Sequence, residues 1–245
     1  MKKRTKIGII ILLVLLLAGA GIGIYAADYY RTKPDVEAQL AEAFVSRDRD
    51  GNWILAPVDG GECKTGFLFY PGAKVEESAY LPLISRIAQE GYYCVIVKMP
   101  LRLAVLDMDA GSRIRKEHPE ISEWIIGGHS LGGAMAQAEA FANPGGYAGL
   151  VLLAAYGTKD MSSADMPALC IYGSEDGVMN REKLAAGRAL MPEEYEELVL
   201  DGGNHAGFGW YGPQKGDKTA QMEPQEQWER TAAAVLQLLN GSAAE

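Results

Sequence analysis

From Trp53 onward the chain alternates short apolar runs with longer segments whose apolar positions recur every three to four residues. The short runs are Trp53–Val58, Thr65–Tyr70, Tyr92–Lys98, Glu123–Gly127, Leu150–Ala155, Ala168–Tyr172 and Glu196–Leu200. Each has the length of a strand and is bounded by turn residues. Between them, residues 78–91 set Tyr80, Leu83, Ile84, Ile87 and Ala88 on one helical face. Pro82 is tolerated in the first turn of such a helix, and Gly91 suits its C-terminal end. Leu106–His118, Leu131–Ala142, Arg181–Leu190 and Gln225–Leu239 read as further helices. Strands that are apolar throughout are buried on both faces. The alternation therefore predicts an α/β domain, with a mostly parallel central sheet and helices on both faces. Two-residue hairpin signals are not seen, which makes an antiparallel sheet the weaker reading.

The pattern ahead of this domain is different. Residues Ile7–Ala27 form a stretch of 21 residues without a charge, preceded by Lys2, Lys3, Arg4 and Lys6. As a helix rising about 1.5 Å per residue, it would span roughly 30 Å, the thickness of a bilayer core. The expectation is a transmembrane helix with its basic end in the cytoplasm and the body outside. The competing reading is a signal peptide cleaved near Ala18-Gly19-Ala20, giving a secreted protein. The apolar run continues past that point, which favours the anchor. The chain then divides into an anchor or signal (1–27), a charged, partly helical stem (28–50) and the α/β domain (51–245).

Charge and cysteine content narrow the function. Residues 28–245 carry 19 Lys and Arg against 32 Asp and Glu, a formal net charge of −13 beside −9 for the whole chain. So acidic a body argues against nucleic acid as a partner and against loose adhesion to anionic lipid. Three cysteines are too few for a disulfide framework, and Cys94 and Cys170 fall in apolar runs where buried thiols are usual. With three histidines and neither C-x-x-C nor H-E-x-x-H, the sequence predicts no metal and no cofactor.

In open α/β sheets, ligands bind at the carboxyl ends of the strands. The stretch GGHSLGG (127–133) lies there, between the strand EWIIG and a helix of small residues. As a bare string, G-x-S-x-G is weak. Its strand–turn–helix setting is the one a nucleophile elbow requires, with glycines letting sheet and helix approach closely. The helix N-terminus sets backbone N–H groups beside Ser130, favouring developing negative charge. These glycines do not have the G-x-G-x-x-G spacing of a dinucleotide site.

A serine hydroxyl needs a base. In this architecture the chain order is Ser, acid, His. His118 and His129 precede Ser130, and only His205 follows it, in DGGNHAGFG after the last strand. For the acid, Asp176 in YGSEDGV follows a strand; Glu175, Asp160 and Asp201 are the alternatives. The oxyanion needs two backbone donors. Leu131 N–H is one, and Ala73 in Pro71-Gly72-Ala73-Lys74 is the choice for the other, with Gly72 as alternate.

These motifs together, FYPGAKV (69–75), VIVKMP (95–100), IGGHSLGG (126–133), IYGSEDG (171–177) and GGNHAGFG (202–209), resemble the α/β-hydrolase superfamily from about Trp53 to Leu239. They are most similar to a bacterial subgroup of small hydrolases that often carry an N-terminal anchor. The resemblance implies a Ser130–Asp176–His205 triad. Many members insert a cap after the sixth strand, but here only Tyr156–Pro167 separates two strands, so no cap domain fits. An open site suits small or surface-presented acyl substrates, with Trp210 and Tyr211 as a candidate wall and Lys98-Met99-Pro100 as a candidate border. The expected activity is hydrolysis of a carboxylic ester or related acyl bond through an acyl-enzyme. The alternatives are an acyltransferase or peptidase using the same triad, and a non-catalytic binding protein on this fold.

Overall fold

The computed structural model describes residues 3–242. It places a strand at each of the seven apolar runs and adds one ahead of them. The strands are β1 (Phe44–Arg47), β2 (Trp53–Ala56), β3 (Thr65–Tyr70), β4 (Tyr93–Ile96), β5 (Glu123–His129), β6 (Gly149–Leu153), β7 (Ala168–Gly173) and β8 (Tyr195–Leu200). They form one sheet in the order β1-β2-β4-β3-β5-β6-β7-β8. From β4 to β8 all neighbours are parallel, while β1 and β2 run antiparallel at one edge. The fold class is therefore α/β with a mostly parallel sheet.

The helices are α1 (Lys3–Ala27), α2 (Leu81–Gln89), α3 (Ala110–Glu117), α4 (Leu131–Ala142), α5 (Arg181–Gly187) and α6 (Pro224–Ser242). Successive residues of a strand point to opposite faces, and β3 shows what that builds. Phe67 and Phe69 pack with Leu83, Ile84 and Ile87 of α2 and Trp228 and Val235 of α6. Leu68 and Tyr70 pack on the other face with Ile114 of α3, Ala136 and Ala140 of α4 and Leu184 of α5. All six β3 residues are buried, as an apolar run without alternation predicts. Each large side chain so buried contributes roughly 1.5–3 kcal/mol. Residues 154–167, between β6 and β7, contain no helix or strand, so no cap stands there.

One expectation needs correction. The segment 28–50 is not a free stem. Its helical content is one short turn, Val36–Gln39, and Phe44–Arg47 pairs with β2 in the register Phe44↔Ala56 to Arg47↔Trp53. Tyr30 forms a bridge with Val75 and its ring lies 5.5 Å from that of Tyr211. The five residues 48–52 join β1 to β2 in a hairpin, longer than the two-residue kind the sequence lacks. Asp48 Oδ1 accepts the N–H groups of Asp50 and Asn52, its Oδ2 accepts Asn52 Nδ2, and Gly51 takes φ 86°.

The run Ile7–Ala27 lies within the 25-residue helix α1. The described side chains Ile11–Val14, Leu16 and Leu17 are exposed, while those of residues 3–10, 15, 18, 22 and 24 lie outside the described residues. Among the described residues no helix is long and apolar enough to cross a membrane.

Candidate active site

Ser130 sits between β5 and α4 with φ 53° and ψ −121°. A glycine adopts these angles readily, but a side chain there costs on the order of 1–3 kcal/mol. Its N–H donates to Leu153 O at 2.8 Å, tying the turn to β6. The turn also needs close approach. A Cβ on Gly132 would fall on the carbonyl oxygens of Tyr70 and Pro71, at the end of β3. The glycine in that position is what lets α4 begin directly over the neighbouring strand.

Asp176 and His205 come from the ends of β7 and β8 and meet. His205 Nδ1 lies 2.9 Å from Asp176 Oδ2, and both side chains are buried. Burial alone would raise the Asp176 carboxyl. The hydrogen bond and charge of His205, with the N–H groups of Met179 and Val178 on Oδ1 at 2.8 and 2.9 Å, outweigh that, and the carboxyl is held below its ordinary range. An ionised carboxylate can only accept. His205 therefore carries its proton on Nδ1, leaving Nε2 with the lone pair a base needs. Nε2 is buried without a hydrogen-bond partner, so no bond to Ser130 Oγ is formed in this state. Such contacts often close only when substrate is bound. The other acids considered lie elsewhere: Glu175 is 3.6 Å from Lys218 Nζ, Asp160 accepts from Ser162, and Asp201 is 3.4 Å from Ser174 Oγ.

The donors for an oxyanion separate cleanly. Leu131 N–H opens α4 and is one of the helix's orphan donors. Gly72 N–H is already used, donating to Tyr80 Oη at 3.0 Å. Ala73 N–H has no hydrogen-bond partner among the described residues, which leaves it as the free donor of that loop.

Three residues around these loops were not assigned there from the sequence. Tyr80 Oη, besides accepting from Gly72, lies 2.9 Å from His129 Nδ1. A Cβ on Gly72 would come within 2.7 Å of that nitrogen and 2.9 Å of Tyr80 Oη, so this position must be glycine. His129 is fully buried, with its ring centroid 4.5 Å from that of His205. Burial, and then the charge of His205, push the His129 pKa well below 6.5, which disfavours a second positive charge beside His205. Asp217 joins the two loops: its Oδ1 accepts Gly177 N–H at 3.0 Å and its Oδ2 accepts Ala206 N–H at 2.8 Å. Periodicity marks Tyr80 only as a core position, and Asp217 is one acid in a polar loop.

Trp210 and Tyr211 are packing residues. Trp210 meets Trp228 edge-on at 5.6 Å and donates to Asp35, and Tyr211 is buried against Tyr30. Lys98 turns toward the β1–β2 hairpin, where its N–H donates to Asn52 Oδ1.

Comparisons with known proteins agree with the fold. No curated protein matches the chain. It is similar to a solved structure, the crystal structure of TT1662 from Thermus thermophilus, with a TM-score of 0.62 and 14% identity. That likeness covers 84% of this chain and 100% of the other, and at such identity it speaks to the fold alone. Residues 66–229, well over half of the chain, match the alpha/beta hydrolase family, and they span Ser130, Asp176 and His205. The chain therefore belongs to the alpha/beta hydrolase family.

Proposed function

We propose that the protein is a serine hydrolase cleaving a carboxylic ester or related acyl bond. The observation that carries this reading is the strained Ser130, a residue held at φ 53° where glycine would be relaxed; the buried Asp176–His205 pair supports it, with the His205 ring 4.5 Å from that of His129, the residue before Ser130. Ser130 Oγ attacks the acyl carbon while His205 Nε2 takes its proton. Leu131 and Ala73 N–H groups receive the oxyanion. The C–O bond to the alcohol breaks, and the alcohol leaves with the proton from His205. Water then attacks the acyl-enzyme and gives its proton to His205; the Oγ–acyl bond breaks, His205 passes that proton to Ser130 Oγ, and the acid is released.

We further propose that residues 7–27 anchor the chain in a membrane with the body on the extracytoplasmic side. The exposed apolar side chains of α1 and the preceding basic residues support this reading.

A fluorophosphonate probe tests the chemistry. Labelling of the wild type and loss of label in Ser130→Ala are expected; equal labelling of both would refute the assignment. With p-nitrophenyl esters of rising chain length, the uncapped site should prefer short acyl groups, and a maximum at long chains would count against an open site.

A further inference from the structure

We infer that the Ser130 site opens onto the membrane surface that holds α1, and that its substrate is an acyl ester of a lipid lying in that leaflet. The inference rests on the hydrolase and anchor readings above.

The first ground is the length of chain between helix and site. Only three residues lead from Ala27, the last of α1, to Tyr30, a span of at most about 10 Å. Tyr30 is already part of the site's frame: its N–H donates to Lys74 O at 2.7 Å, and its carbonyl accepts Glu76 N–H at 2.9 Å. Lys74 is the neighbour of Ala73, the free donor of the oxyanion loop. The domain is thus not hung on a long stem. The loop that would hold the oxyanion is hydrogen-bonded to the segment that leaves the helix.

The second ground is the chemistry of that face. Tyr25, Tyr29 and Tyr30 cluster at the helix end, as aromatic residues do at a membrane–water boundary. Lys74 Nζ pairs with Asp28 at 2.5 Å and lies 4.7 Å from the Tyr25 ring centroid, and the Arg102 guanidinium lies 3.4 Å over the Tyr29 ring. Arg102 belongs to the segment after β4, and its carbonyl accepts Lys74 N–H at 2.9 Å. That same segment exposes four large apolar side chains, Leu101, Val105, Leu106 and Met108, at 43–54%. An apolar cluster beside cations, next to the exit of an apolar helix, fits the headgroup–acyl boundary of a bilayer. The ester bonds of membrane lipids lie at that depth. A site without a cap at this level needs no deep acyl pocket, because the bilayer continues to hold the chain.

The test uses the full chain in phosphatidylcholine vesicles. An environment-sensitive fluorophore is placed at Val105→Cys, or at Val58→Cys as the distant control, each in a Cys63→Ser background. Val58 follows β2, whose antiparallel direction carries it to the amino ends of the parallel strands, the end opposite the segment after β4, and it too is exposed, at 59% beside 48% for Val105. Nitroxide-bearing lipids should quench the Val105 probe and spare the Val58 probe. A Val105 probe as accessible to water as Val58 would overturn the proposal. So would a Val105 probe shielded equally in detergent, with cross-links between copies, because that assigns the face to a second copy of the chain. For the substrate, a twenty-residue Gly-Ser insertion between Ala27 and Asp28 frees the domain to leave the surface. It should lower hydrolysis of a diacyl lipid ester in the vesicle at least ten-fold, with p-nitrophenyl acetate turnover within two-fold. Turnover of soluble esters with none of the vesicle ester rejects the lipid substrate and leaves the hydrolase reading standing. Release of the chain by alkaline carbonate rejects the anchor, and no turnover of any ester, with no fluorophosphonate label, rejects the hydrolase.

Discussion

The backbone angles of Ser130 make a prediction that separates a functional serine from an incidental one. At φ 53° and ψ −121°, Ser130 occupies a region where the Cβ atom is the source of strain. Ser130→Ala keeps the Cβ and therefore the strain. Ser130→Gly removes it, recovering about 1–3 kcal/mol, against about 0.4–1 kcal/mol of added chain entropy in the unfolded state. With mid-range values of both, glycine should therefore leave the fold more stable than alanine by about 1.3 kcal/mol, and by about 2.6 kcal/mol at most. At roughly 2–4 °C per kcal/mol for a chain of this size, the mid-range value is a rise in Tm of about 3–5 °C. The assay is thermal and denaturant unfolding of both variants, supported by loss of fluorophosphonate label in each. A glycine variant no more stable than the alanine variant would show that Ser130 is unstrained. It would also remove the main structural support for the nucleophile.

Asp176→Asn keeps the size of the side chain but presents an amide to His205, and kcat should fall by about 10⁴-fold, the scale of that change in a Ser-His-Asp triad; a loss under ten-fold would argue that Asp176 does not orient the base. The Asp176 carboxyl is depressed in the folded state, so its contribution to stability is complete above its ordinary value of 3.8 and is lost as pH falls through the lower folded value. Between pH 5 and 3, the Tm difference between wild type and Asp176→Asn should hold steady and then shrink below about pH 4; a difference constant to pH 3 contradicts the depressed carboxyl. Gly132→Ala drives a Cβ onto the Tyr70 and Pro71 carbonyls and should destabilise by about 1–3 kcal/mol, read by denaturant unfolding. An unchanged midpoint would mean that α4 does not sit as close to the end of β3 as the structure has it.

The parallel strands were legible because burial on both faces leaves continuous apolar runs, and the meeting of Asp176 with His205 was legible because each directly follows such a run. The edge strand Phe44–Arg47 was not. It is four residues long, half-exposed, and set among charges, so its apolar content falls below what periodicity detects. Its hairpin did leave a trace in Asp48-Arg49-Asp50-Gly51-Asn52, where Asp48 caps the turn and Gly51 supplies the positive φ. Tyr80 and Asp217 act across 49 and 40 residues of sequence, on His129 and Gly177 respectively. Which loops a distant side chain will join is a property of the assembled sheet, not of the local pattern. The same holds for Trp210, whose place beside His205 in sequence suggested a pocket wall, while its ring is taken up by Trp228 and Lys33.

The pairing of β1 with β2 bears on how a soluble form of the domain can be cut. The charge pattern invites truncation near residue 50, where the polar segment ends. Such a cut would remove Phe44–Arg47 and the Tyr30 bridge to Val75 together. It would leave Trp53–Ala56 as an unpaired edge, open to pairing with another chain, and it would free the loop carrying Ala73 on one side. A cut that keeps Asp28 onward removes the apolar helix and leaves both the sheet edge and that loop held.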